Sequence, residues 1–178
     1  IFFDLRPLHG DAALADTLRE HVLAQARANR AFLRLLAETA LQARPPLGLF
    51  GRFRLESVDG APHTLDLKTG AARVFADVAR LYALSEGLHE HSTAGRLRAL
   101  ARSSRFACDD LPGAVRAFFL IQRLRLQRQA SEGTGAHAAL ANRIAPSSLP
   151  EIDRVLLRHA LKRARQLQTR IRLDWQIG

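Results

Sequence analysis

The sequence predicts an all-α fold: a helical bundle with one small β-hairpin insertion and a short strand at its amino end. Apolar residues recur at helical spacing through most of positions 11–175, and proline, glycine or a capping residue interrupts them at intervals suited to separate helices. Only positions 47–68 break this pattern, with glycines and two-residue alternation instead. Hydrophobic residues make up 47% of the 178, enough for one domain with a real core and too many for a disordered polyelectrolyte.

Taken in order, Ile1 to Leu5 are apolar and β-prone and read as the last strand of something upstream, stopped by Pro7 and Gly10. From Asp11 to about Arg44 the helical period runs through Leu14, Leu18, Val22, Ala26, Leu33, Leu36, Ala40 and Leu41. Asn29 marks either the middle of one helix or a break between two, and Pro45-Pro46 end the run. In 47–68, alternation at Phe53, Leu55 and Val58 and an Asp59-Gly60 turn signal predict the hairpin.

Helical spacing returns with Val74, Val78, Leu81 and Leu84, and Gly87 is placed to cap that helix. Another helix is expected from about Ser92 to Ser103. The next, capped by Asp110, uses Leu111, Val115, Phe118, Phe119 and Leu126 as its apolar face. Positions 131–141 read as a loop and 142–146 as a further connection. Ser148 with Glu151 is spaced as a capping box for a last helix through Ile152, Val155, Leu156, Leu167, Ile171 and Trp175.

Composition narrows function mostly by exclusion. No run reaches the length of a transmembrane helix before a charge or glutamine interrupts it, and no secretory signal is visible. Cys108 alone cannot form an internal disulfide and no Cys/His spacing suggests zinc, so a cytoplasmic setting is expected, with Cys108 an inert thiol. The chain has no methionine and begins at Ile1, so it reads as a piece of a longer polypeptide. The formal charge is +10, from 27 Lys plus Arg against 17 Asp plus Glu. Only Lys68 and Lys162 are lysine, a bias that genome composition explains as readily as selection for guanidinium chemistry.

No nucleophile elbow, zinc-protease helix, phosphate-binding Walker loop or dinucleotide fingerprint is present. His89-Glu90-His91 reads as a surface turn, because its histidines stand two residues apart. General nucleic-acid binding fits the charge but not the 6% aromatic content or the wide spread of arginines around their helices. The Leu65–Lys68 segment, followed by Gly70, is open to two readings. Its backbone donors and Lys68 could receive a phosphate, or Asp66 and Lys68 could pair locally to fix the turn.

The ordered set IFFDLRPLHGD at 1–11, PPLGLFG at 45–51, LDLK at 65–68 and ARLYAL at 79–84 continues with Thr93, Arg96-Leu97, Arg125-Leu126, Gln129, Asn142, Pro146 and Leu149. Together these resemble the putative nucleotidyltransferase substrate-binding domain family, found in bacterial proteins that often carry cyclic-nucleotide-binding and CBS modules. The resemblance implies a helical accessory domain, positions 11–178, with 1–10 the edge of an upstream nucleotidyltransferase domain of the same polypeptide. That domain would resemble the uridylyltransferase and adenylyltransferase of nitrogen regulation and would bind magnesium through a Gly-Ser motif and spaced aspartates, which this chain lacks. No cofactor and no catalytic residue is expected within positions 1–178. The segment 66–77 departs from those enzymes in having Gly70-Ala71-Ala72 where they usually show a double glycine.

The implied role is positioning an acceptor or a nucleoside triphosphate for nucleoside monophosphate transfer. Arg6, Asp66, Lys68 and Arg80 are expected on the face toward the catalytic domain, with Arg125 and Asn142 as further candidates. The acceptor could be a protein. Competing readings are a homodimerisation or signal-relay module and, behind it, a general nucleic-acid-binding domain. No membrane partner is expected.

Overall fold

Asn29 shows how local chemistry divides the first long apolar run. Its backbone N–H donates to the Gln25 and Ala26 carbonyls, closing α1 (Ala12–Ala28), while its side-chain oxygen accepts from Phe32 N at 2.9 Å and opens α2 (Arg30–Gln42). The break is therefore real and there are two helices. The computed structural model describes residues 2–4, 7–58, 61–103, 110–132 and 140–178. Arg6, Cys108 and the Asp59-Gly60 turn lie outside them.

The remaining helices are α3 (Arg73–Glu86), α4 (Thr93–Arg102), α5 (Asp110–Glu132) and α6 (Glu151–Trp175). Gly87 ends α3 with φ +70°, and the Gly87 and Leu88 N–H groups both reach back to its last turn, the termination that a residue without Cβ favours. Ser92 caps α4 through its hydroxyl oxygen, 3.0 Å from Gly95 N.

α3 is the axis of the core. It packs against α2, α4 and α6, and eight of its residues, including Val74, Phe75, Val78 and Leu81, are buried. α5 bridges α4 and α6, and α6 returns to α2. By contrast α1 is peripheral: Leu23 and Ala26 are buried while Leu14 and Leu18 stay exposed. No helix among the described residues is long and apolar enough to cross a membrane.

The hairpin exists as β1 (Glu56–Val58) and β2 (Ala61–Asp66), and β3 (Arg143–Ile144) extends it into a three-stranded antiparallel sheet in the order β1-β2-β3. Sequence patterning missed β3 because two residues carry no period. Arg143 latches all three strands. Buried on β3, it donates Nε to Thr64 Oγ1 and Nη2 to Glu56 Oε2, both at 2.9 Å.

Three further expectations need correction. Phe2–Asp4 form a 3₁₀ turn rather than a strand, since their polar groups bond to arginine side chains instead of a neighbouring strand. Ser148 does not cap α6. It lies in a 3₁₀ turn, with its hydroxyl donating to the Ala145 carbonyl, and Pro150 occupies the cap position. The apolar faces of α5 and α6 match the expectation only in part: Leu111, Phe118, Leu167 and Ile171 are buried as expected. Phe119, Leu126, Ile152, Val155 and Leu156 are exposed, and Ala117, Ile121, Leu124, Leu157 and Leu161 are buried in their place.

Candidate functional site

The backbone leaving β2 turns into α3 through a π-type turn, Lys68–Ala72. Asp66 governs that turn. Its Oδ1 accepts from Lys68 N at 2.7 Å and Thr69 N at 3.1 Å, and its Oδ2 accepts from the Thr69 hydroxyl at 2.8 Å. These are donors that the sequence reading offered to a phosphate, and a carboxylate of the chain already holds them. Among the described residues no ion pair joins Lys68 to Asp66. The lysine side chain is exposed. Gly70 is needed for close approach, because a Cβ there would meet Pro46 Cδ at 3.1 Å and the Arg44 carbonyl at 3.4 Å.

That close approach makes the floor of a cleft of about 330 Å³ between the end of α2, the sheet and the start of α3. Arg44, Arg73 and Arg143 line it with Glu56, Asp66 and Thr69. Arg143 is buried and held by Glu56, whereas Arg73, though paired to Asp77, is half-exposed, and no ion pair among the described residues engages Arg44.

Arg73 also begins a chain of ion pairs. Its Nε lies 3.2 Å from Asp77 Oδ2, and the other oxygen of Asp77 lies 3.5 Å from Arg80 Nη1. Arg80 Nη2 reaches Asp4 Oδ2 at 3.1 Å. Arg96 Nη2 stands 2.7 Å from Asp4 Oδ1 and donates to the Phe3 carbonyl at 2.8 Å, while Arg96 Nε donates to the Glu90 carbonyl. The ladder is set by helical spacing on α3: positions 73, 77 and 80 share one face.

Asp4 and Arg96 are electrically unlike the other charged groups. Burial raises the Asp4 carboxyl, and the adjacent guanidiniums of Arg96 and Arg80 more than reverse this, holding it below the usual carboxylate range. Burial also lowers Arg96, partly offset by Asp4; arginine still stays cationic at neutral pH. Together with the contact of Phe3 on Phe32, whose ring centroids are 5.7 Å apart, this fastens the amino-terminal turn to α2, α3 and α4.

A second polar group joins distant parts of the chain. Arg125 donates to Asn142 Oδ1 at 2.9 Å and to Gln122 Oε1 at 2.6 Å, and Gln129 donates to the same Asn142 oxygen at 3.3 Å. The Asn142 carbonyl in turn accepts from Leu67 N at 2.9 Å, next to Asp66. Of the sequence candidates, then, Arg125 and Asn142 come together beside the Asp66 turn, while Arg80 belongs to the ladder. Arg44, Arg73, Arg96 and Arg143 were not put forward as site residues from sequence. The i, i+4, i+7 spacing of Arg73, Asp77 and Arg80 was the one signal available.

These acids do not suit a divalent ion. Asp4 and Asp77 are each shared by two arginines, and no group of three His, Cys, Asp or Glu able to hold a metal occurs among the described residues. What the cleft offers is recognition of an anionic or bidentate group by guanidinium.

A family model described as putative nucleotidyltransferase substrate binding domain matches residues 30–175, which covers α2 to α6, the sheet and the cleft. No curated protein and no solved structure matches the chain.

Proposed function

We propose, since the chain belongs to the putative nucleotidyltransferase substrate-binding domain family, that it is the accessory domain of a bacterial nucleotidyltransferase. In this reading it presents an acceptor or a nucleoside triphosphate to a catalytic domain lying upstream on the same polypeptide. Magnesium and the transfer of the nucleoside monophosphate belong to that catalytic domain, whose Gly-Ser and spaced aspartates are not in this sequence.

The observation that carries the reading is the double role of Arg73, which lines the cleft and also begins the ladder ending at Asp4. An anion bound by Arg44 and Arg73 would thereby be positioned relative to the amino-terminal turn. Lys68 stands exposed two residues beyond Asp66 and adds a point charge near the cleft.

The test uses the longer polypeptide containing both domains. Arg73→Ala and Lys68→Ala should each weaken binding of nucleoside triphosphate or acceptor by about tenfold, with the thermal midpoint of this domain kept. Loss of folding with unchanged affinity in the soluble remainder would reassign both residues to structure. A tight homodimer of the 178-residue chain, with no effect of either variant on binding, would favour the signal-relay module instead. Detectable transfer by residues 1–178 alone would overturn the accessory assignment.

A further inference from the structure

A depression of about 740 Å³ lies where α1, α3 and α6 end. Two of its arginines answer charges of the chain itself. Arg27 lies over Gly87 at the carboxyl end of α3, where a cation complements the helix dipole, and Arg170 pairs with Asp174. The cleft beside Gly70 mixes arginines with Glu56 and Asp66. A third depression, about 460 Å³ between α5 and α6, is different: Arg116, His159 and Lys162 line it beside Arg163, and among the described residues no acidic one does.

We infer that this groove docks an amphipathic helix with acidic flanks, supplied by a protein partner. The two walls run antiparallel, with Gly113 against Arg163 at one end and Arg123 paired to Asp153 at the other. The ten residues between these ends span about 15 Å, or roughly three helical turns. Ala117, Leu120, Leu156 and Ala160 form an apolar floor. Leu156 is 42% exposed, and Ile152, one turn earlier on the same face of α6, is 65% exposed. A small-residue wall on each helix with leucines between them is the geometry that receives the apolar ridge of a third helix.

Charge selects the occupant. A second copy of this chain would set one basic rim against another, and a bilayer is too flat to reach a floor recessed between two helices. An acidic helix satisfies both parts of the groove, with apolar side chains on the floor and carboxylates against Arg116 and Lys162. The inference is independent of the proposed function, because neither Arg73 nor Lys68 takes part in it.

The experiment is fluorescence anisotropy on the 178-residue chain. Its probe is a synthetic helix of about four turns with leucines on one face and glutamates on both flanks, and a twin peptide carries lysines in place of the glutamates. The glutamate peptide should bind at low salt and weaken as salt is added. Leu156→Glu should reduce its affinity by about tenfold or more. The Arg116→Glu, Lys162→Glu double variant, which leaves the floor intact, should transfer the preference to the lysine peptide. Equal binding of both peptides, no binding by the folded chain, or indifference to both sets of substitutions would overturn the proposal. So would vesicles containing phosphatidylserine binding more tightly than the peptide, or self-association that Leu156→Glu abolishes.

Discussion

The amino-terminal ladder and the α5–α6 groove are both rich in arginine, yet they do opposite things with it. From Arg73 through Asp77 and Arg80 to Asp4 and Arg96, every cation faces a carboxylate, and Arg96 is 3% exposed. In the groove, cations stand beside exposed leucine, and among the described residues no acid lines the walls. A formal charge of +10 counts both alike. The comparison teaches that charge buried in the fold serves cohesion, and that only exposed charge, including Arg73 at the open end of the ladder, remains available to a partner.

Arg96→Ala tests that division most severely. It strips donors from the Phe3 and Glu90 carbonyls and leaves Asp4 half served, so thermal unfolding should show a loss of about 2–3 kcal/mol. A loss under about 0.5 kcal/mol would mean that the ladder is surface decoration.

Gly70→Ala comes next. The new methyl presses on Pro46 and the Arg44 carbonyl, so about 1 kcal/mol should be lost, and the cleft should deform enough to weaken whatever Arg44 and Arg73 hold. Unchanged stability and affinity would show that the α2–α3 approach gives way freely.

Acid acts on the ladder more gently, because Asp4 is partly open to solvent. Its carboxyl is lowered from 3.8 by folding, so its contribution is complete above that value and disappears as pH falls through the lower folded value. Carboxyl NMR titration should find Asp4 below the ordinary range and Arg80→Ala should move it upward. An Asp4 that titrates at its ordinary value would separate it from both arginines.

The smallest effect is expected in the groove. Leu156→Ser should change stability by less than about 0.5 kcal/mol, since its side chain already meets water. A loss of several times that in chemical denaturation would place Leu156 among the core residues and remove the floor from the docking surface.

Much of the helical layout was legible beforehand. Pro45-Pro46, Gly87 and Ser92 act where they stand, through their own side chains or backbone freedom, so their effects can be read one residue at a time, whereas Asn29 was left between one helix and two until its bonds to both sides decided it. The strand expected over Ile1–Leu5, at its described residues Phe2–Asp4, and the Ser148 capping box failed for the complementary reason. Each depended on a partner that tertiary contacts supplied differently: guanidiniums for the first, the Ala145 carbonyl for the second. Of the candidate site, Asp66, Arg80, Arg125 and Asn142 were singled out, but their partners were not, and Arg6 lies outside the described residues.

The amino-acid order alone determined most helix ends, the position of the hairpin and the family to which the chain belongs, because breakers, glycine caps and ordered motifs are short-range properties. Packing alone decided which apolar residues of α5 and α6 are core and which are surface, since both helices carry more apolar positions than one buried face can take. It also decided that Arg80 and Arg96 are spent on Asp4, a meeting across 76 or more positions of chain.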